Sequence, residues 1–247
     1  MTHSRYRVVT LALFALTACG GGQMLAPAVP KNPTALTPAA SKAGAVALTI
    51  TVPQATAQGA SRRPAYVSPA TGSVSVTPQG APTQTFALAQ SSPGCSNAHG
   101  PLSCSFNVSA PVAQNEALAI STFASADGSG APLSLATLLV NVVAGQSNPV
   151  NVTLNGVVAS LSVALDPANV PAGTAATVQV IVNARDAAGS TIVGPGVYAD
   201  AAGKPVTIGL SDADSSKSTT LSQSSTTTPT PGITLTYDGN SSFSGQR

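Results

Sequence analysis

Beyond Gly44 the apolar side chains recur at almost every second position, and that period leaves the chain little choice of backbone. Leu48, Ile50 and Val52 alternate with threonines, and Val74 and Val76 alternate with Ser73, Ser75 and Thr77. Leu118, Ile120 and Thr122 continue the pattern, as do Val150, Val152 and Leu154 among Asn151, Thr153 and Asn155. Successive side chains of a strand point to opposite faces, so each run predicts a half-buried β-strand. Turn signals separate the runs at Ser68-Pro69, Pro78-Gln79-Gly80, Ser92-Pro93-Gly94 and Asp127-Gly128-Ser129-Gly130. Leu133 to Val143 is ambiguous by pattern alone, and its neighbours favour a strand.

The same period resumes after Asn155-Gly156. Leu161, Val163 and Leu165 alternate, then Val178, Val180 and Val182, then Val206, Ile208 and Leu210, then Ile233, Leu235 and Tyr237. Asp186-Ala187-Ala188-Gly189 reads as a hairpin turn. Many short strands at regular spacing, with no sustained helical stripe outside the N-terminus, predict an all-β chain of antiparallel β-sandwiches. A boundary near Asn155 divides it into one unit over 45–155 and a second over 156–247. With almost no linker between them, the pair is expected to form a stiff rod.

The first eighteen residues follow another rule. Arg5 and Arg7 precede an apolar run from Val8 to Leu16. At about nine residues it suits a signal peptide and falls well short of the roughly 20 that span a bilayer. Leu16-Thr17-Ala18-Cys19 closes it and resembles the lipobox of bacterial lipoproteins. That resemblance implies a signal peptide over 1–18, a diacylglycerol thioether on the Cys19 sulfur and an acylated amine. Gly20 follows, not the aspartate that marks inner-membrane retention in many two-membrane bacteria, so the implied location is the outer membrane or cell surface. Residues 19–44 open with three glycines after Cys19 and then carry Pro27, Pro30, Pro33 and Pro38. They read as a disordered tether, on the order of 70 Å long if fully extended.

Loss of Arg5 and Arg7 with the signal leaves eight basic against eight acidic side chains, a neutral mature chain. With no basic stripe to neutralise phosphates, nucleic acid is not an expected partner. Of three cysteines, the lipobox resemblance assigns Cys19 to lipid, which leaves Cys95 and Cys104. An even pair in an exported chain is expected to form a disulfide, with Cys104 pointing inward in phase with Phe106 and Val108. The competing reading is a metal site that adds His99, yet zinc takes four ligands, or three plus water, and no other histidine survives signal removal.

Within the second unit, three segments carry a further resemblance: Leu161-Ser162-Val163-Ala164-Leu165, Val170-Pro171-Ala172-Gly173-Thr174, and Val178 through Asp186-Ala187-Ala188-Gly189. Together they resemble the opening of bacterial immunoglobulin-like domains of the invasin and intimin type, over roughly Val157 to Leu210. The resemblance implies two tandem immunoglobulin-like β-sandwiches, the first alike only in pattern. A full second sandwich needs one or two strands beyond Phe243, so either the chain continues past Arg247 or its last sheet has an open edge; the first is favoured.

Catalysis finds few tools here. His99 has no acid near it in sequence, and Glu116 is the sole glutamate. Asp212-Ala213-Asp214 offers two carboxylates to a cation but lacks the rest of an EF-hand loop. Arg62-Arg63 before Pro64 reads as a polar loop. Aromatic residues are 4% of the chain and tryptophan is absent, so platforms for stacking sugars or bases are scarce. The Asn-x-Ser/Thr triplets at Asn107, Asn151 and Asn240 read as strand or turn residues. The expectation is a non-enzymatic, lipid-anchored structural, adhesive or display protein with no cofactor and no small-molecule substrate, whose partners are the membrane through Cys19 and a surface protein. The alternative is a module on the same anchor that binds calcium or a glycan.

Overall fold

The computed structural model describes residues 42–53, 67–98, 100–229 and 232–240. The alternation is realised as strands, with no helix among the described residues. The first half of the chain contributes β1 (Ala43–Val52), β2 (Ser73–Pro78), β3 (Gln84–Ala87), β4 (Cys95–Ser96), β5 (Leu102–Pro111), β6 (Ala113–Phe123), β7 (Pro132–Val142) and β8 (Ser147–Val150). There follow β9 (Asn155–Val157), β10 (Ser160–Asp166), β11 (Ala176–Arg185), β12 (Tyr198–Ala199), β13 (Ile208–Gly209), β14 (Thr219–Leu221), β15 (Ser225–Thr226) and β16 (Thr234–Tyr237).

One sheet has the order β4-β5-β1-β8 and another the order β12-β9-β7-β6-β2-β3. Val46, Leu48, Ile50 and Val52 of β1 join Cys104, Val108 and Ala110 of β5 on one side of a shared core. Val74 and Val76 of β2, Leu118 and Ile120 of β6, and Val140 and Val142 of β7 supply the other side. The period of two places these residues inward, and the threonines and serines between them meet solvent or each other. Each fully buried Val, Leu or Ile contributes about 1.5–3 kcal/mol relative to exposure, which makes this cluster the main source of cohesion.

The open side of the sandwich is closed by side chains. Beyond the two-residue β4, the free edge of β5 is met by Gln84 of β3. Its Nε2 donates to the Ser109 carbonyl at 2.7 Å and its Oε1 accepts from the Ser109 N–H at 2.9 Å. The amide thus imitates one residue of an extra strand, which hides polar groups that would otherwise invite pairing. Two positions along, Phe86 stacks on Phe106 with ring centroids 4.4 Å apart.

Two pairings depart from the antiparallel expectation. β8 runs parallel to β1, and β12 runs parallel to β9. The run expected over Val150 to Leu154 is also not one strand: β8 ends at Val150 and β9 begins at Asn155. Here the chain leaves one sheet and enters the other, so its backbone bonds change partner although the side chains keep their phase. Asn148 helps make the crossing, donating from Nδ2 to the Ala45 carbonyl at 2.8 Å while its Oδ1 accepts from the Val143 N–H at 3.3 Å.

The boundary expected near Asn155 falls on β9, which bonds to β7 on one side and β12 on the other. One sheet therefore carries strands from both halves. The hydrophobic side chains still divide: a second cluster comprises Val180, Val182, Ala184, Ile192, Tyr198, Ile208 and Ile233. It lies against the sheet β10-β11-β16-β14 and the small pair β13-β15. Tyr198 is wholly buried, its hydroxyl has no hydrogen-bond partner among the described residues, and burial pushes its pKa up.

The hairpin expected at Asp186 is present, and it is built twice. Asp186 Oδ1 accepts from the N–H groups of Ala188 and Ser190, each at 2.9 Å. Fourteen residues on, Asp200 Oδ1 accepts from Ala202 and Lys204 at the same distances. Gly189 and Gly203 take φ of 79° and 80°, and each N–H returns to its aspartate's carbonyl. Only glycine adopts this backbone without strain.

Candidate functional site

The residues singled out by chemistry divide into those the structure places and those outside its described residues. Cys19, Arg62, Arg63 and His99 belong to the second group.

Cys95 and Cys104 form a disulfide. They stand directly opposite each other on β4 and β5, with Cα atoms 3.9 Å apart. Local sequence brings this about. Ser92-Pro93-Gly94 makes a turn in which the Cys95 N–H donates to the Ser92 carbonyl at 3.1 Å, and Gly94 takes φ of 79°. Proline at the second position and glycine at the third suit a type II turn. The Ser105 N–H then donates to the Gly94 carbonyl at 2.9 Å, which fixes the register that aligns the thiols. Cys104 is 1% exposed and faces the core with Val108 and the half-buried Phe106, in the phase read from sequence.

The carboxylates are the other reactive groups, and the structure assigns them a common task. Six of the seven aspartates accept a backbone N–H two residues ahead: Asp127 from Ser129, Asp186 from Ala188, Asp200 from Ala202, Asp212 from Asp214, Asp214 from Ser216 and Asp238 from Asn240. A short carboxylate mimics a turn carbonyl in this way and satisfies donors that a bend leaves unpaired. Composition alone hid the pattern; the Asp-x-x-Gly repeat at 186 and 200 was the legible signal for part of it.

Asp212 and Asp214 are brought together, as their spacing suggested. The Thr219 hydroxyl donates to Asp212 Oδ2 at 2.7 Å and to Asp214 Oδ2 at 3.2 Å. The Thr219 N–H also reaches Asp214 Oδ2, and Ser216 bonds Oδ1 through both hydroxyl and N–H. All four carboxylate oxygens of the pair therefore accept hydrogen bonds from the chain itself. No group of three or more potential metal-binding side chains occurs among the described residues. The Ser216 hydroxyl, with the backbone donors beside it, holds the Asp214 pKa down to about 2. A folded pKa below the unfolded value of 3.8 gives stability that is present above pH 4 and lost as pH falls toward 2. Over that interval the thermal midpoint of the wild type should fall more steeply than that of Asp214→Asn, measured by circular dichroism at matched ionic strength.

Glu116 occupies an unexpected place. It faces the first core beside Leu118, at a bulge where Asn115 takes φ of 57°. The side chain is 5% exposed, and Oε1 has no hydrogen-bond partner among the described residues. Burying an incompletely satisfied carboxyl group is costly. Glu116→Met keeps the volume without the polar group and should raise stability by about 1–3 kcal/mol, read as a higher midpoint in urea unfolding.

An open groove of about 590 Å³ lies where β1 begins, lined by residues that include Gly44, Gln84, Asn107, Ser109 and Gln146. It presents amides and hydroxyls but no charged group. Asn107 is exposed on β5, Asn151 is exposed between β8 and β9, and Asn240 is exposed after β16. Tyr237 links the last of these to the Pro171-Ala172-Gly173-Thr174 corner: its hydroxyl donates to the Asn240 carbonyl at 2.6 Å and accepts from the Gly173 N–H at 3.4 Å. Searches against protein-family models, curated proteins and solved structures returned no match to this chain.

Proposed function

We propose that the chain is a lipid-anchored, extracytoplasmic structural or display protein with no catalytic role. The observation that carries this is Leu16-Thr17-Ala18-Cys19 directly after two arginines and a short apolar run. Several acyl chains on one residue hold a protein at a bilayer far longer than a single chain does. Residues 20–42 then act as the tether, and the β-rich body that begins with β1 is what the anchor presents. Its two hydrophobic clusters support the reading of two immunoglobulin-like units of the invasin and intimin type, fused through β9. The Cys95–Cys104 disulfide suits an oxidising compartment. The aspartates support the non-catalytic reading, since six of the seven are engaged in capping turns. The surface partners are the membrane, reached through Cys19, and another protein.

Metabolic labelling with palmitate, followed by membrane fractionation, tests the anchor. Wild-type protein should take up label and sediment with membranes, whereas Cys19→Ala should lose the label and move almost entirely to the soluble fraction. Retention of the unlabelled variant in membranes would overturn the proposal.

A further inference from the structure

We propose that β10 is a self-association edge through which two copies of this chain pair antiparallel about a two-fold axis at Val163. Among the described residues β10 bonds to β11 on one side only, and every residue from Ser160 to Asp166 is exposed. Leu161, Val163 and Leu165 stand opposite Ala184, Val182 and Val180, so they share the inward face of their sheet. On β11 that face is covered, at 1%, 6% and 7% exposure; on β10 it is 51%, 57% and 38% exposed. An inward-facing apolar stripe thus continues one strand beyond the layer that covers it.

Other sheet edges are short or obstructed. β4 and β12 have two residues, β14 has three, β3 has four, and β8 has four including Pro149. β10 has seven and contains neither lysine nor proline, the residues that commonly block edge pairing.

The strand's own sequence names the occupant. Ser160-Leu161-Ser162-Val163-Ala164-Leu165-Asp166 is nearly palindromic about Val163. An antiparallel pair centred there sets Val163 against the partner's Val163 and Leu161 against the partner's Leu165. Ser162 meets the partner's Ala164, and Ser160 meets the partner's Asp166. Six apolar side chains then form one continuous stripe on a single face. The two Asp166 carboxylates lie at opposite ends, about 20 Å apart at 3.4 Å per residue. A parallel pair would set them side by side, and a one-residue slip would turn the leucines to the wrong face. The contact is smaller than the roughly 1,600 Å² of a standard interface, so the dimer is weak and concentration-dependent.

Sedimentation equilibrium of the full chain carrying Cys19→Ser, from about 10 µM to 1 mM, should show a monomer–dimer equilibrium over the range expected of a small interface. Val163→Lys places like charges opposite each other on the axis and should leave the protein monomeric throughout. In the same Cys19→Ser background, Val163→Cys should yield at least about tenfold more disulfide-linked dimer under mild oxidation than Ser160→Cys, because only cross-strand neighbours fall within bridging distance. That contrast stands even if Val163→Lys fails to fold. A wild type that stays monomeric at the highest concentration, or equal cross-linking at positions 160 and 163, would overturn the proposal.

Discussion

Cys104→Ala is expected to lower the unfolding free energy by about 3–4 kcal/mol, which corresponds to roughly 10 °C in thermal midpoint for a body of this size. Two effects add. The bridge spans a sequence separation of nine, and constraining so short a loop in the unfolded chain is worth about 2.5–3 kcal/mol. The Cys104 sulfur is also buried at 1% exposure among Val108, Ile50 and their neighbours, so its removal leaves a small void. Cys95→Ala opens the same loop but deletes a less buried atom, and should cost less than Cys104→Ala. Calorimetry of the two variants, with and without reductant, separates the contributions: reductant should destabilise the wild type and leave both variants unmoved. Equal midpoints for wild type and Cys104→Ala would show that the hairpin is held by its turn and ladder alone.

Leu118→Ala should be at least as damaging, at about 3–5 kcal/mol. Leu118 is fully buried at the middle of the first core, on the inner face of β6. β6 is flanked on both sides, by β2 and β7, so the backbone around Leu118 has little freedom to collapse into the space left behind. Leu139→Ala on the adjacent strand is the control. It removes the same atoms from a site 66% exposed, and should change the urea midpoint little. A loss at Leu118 no larger than at Leu139 would mean that the two sheets do not share a packed core.

Much of the strand pattern could be read directly, because a period of two states which side chains share a face. Leu48 with Ile50, Val74 with Val76, and Cys104 with Val108 all face inward as their spacing indicated. Turns announced by glycine with proline or aspartate were equally legible, since the unusual backbone there needs those residues. Leu161, Val163 and Leu165 show the limit of the method. Their alternation is as regular as any in the chain, yet they are exposed, because burial depends on whether an opposing layer reaches that far. Glu116 makes the converse point: its place on the core face of β6 follows from the phase set by Leu118 and Ile120, although a lone glutamate carries no signal of burial.

What the amino-acid order decided by itself was local: the extended backbone, the face each side chain takes and the points at which the chain turns. Only the tertiary structure decided partners. It set β8 parallel to β1, placed Gln84 across the free edge of β5, and let β9 serve both halves of the chain. The physical reason is that side-chain alternation repeats identically along any strand, whereas the choice of neighbour depends on closing long loops and matching whole surfaces, quantities that belong to no single segment.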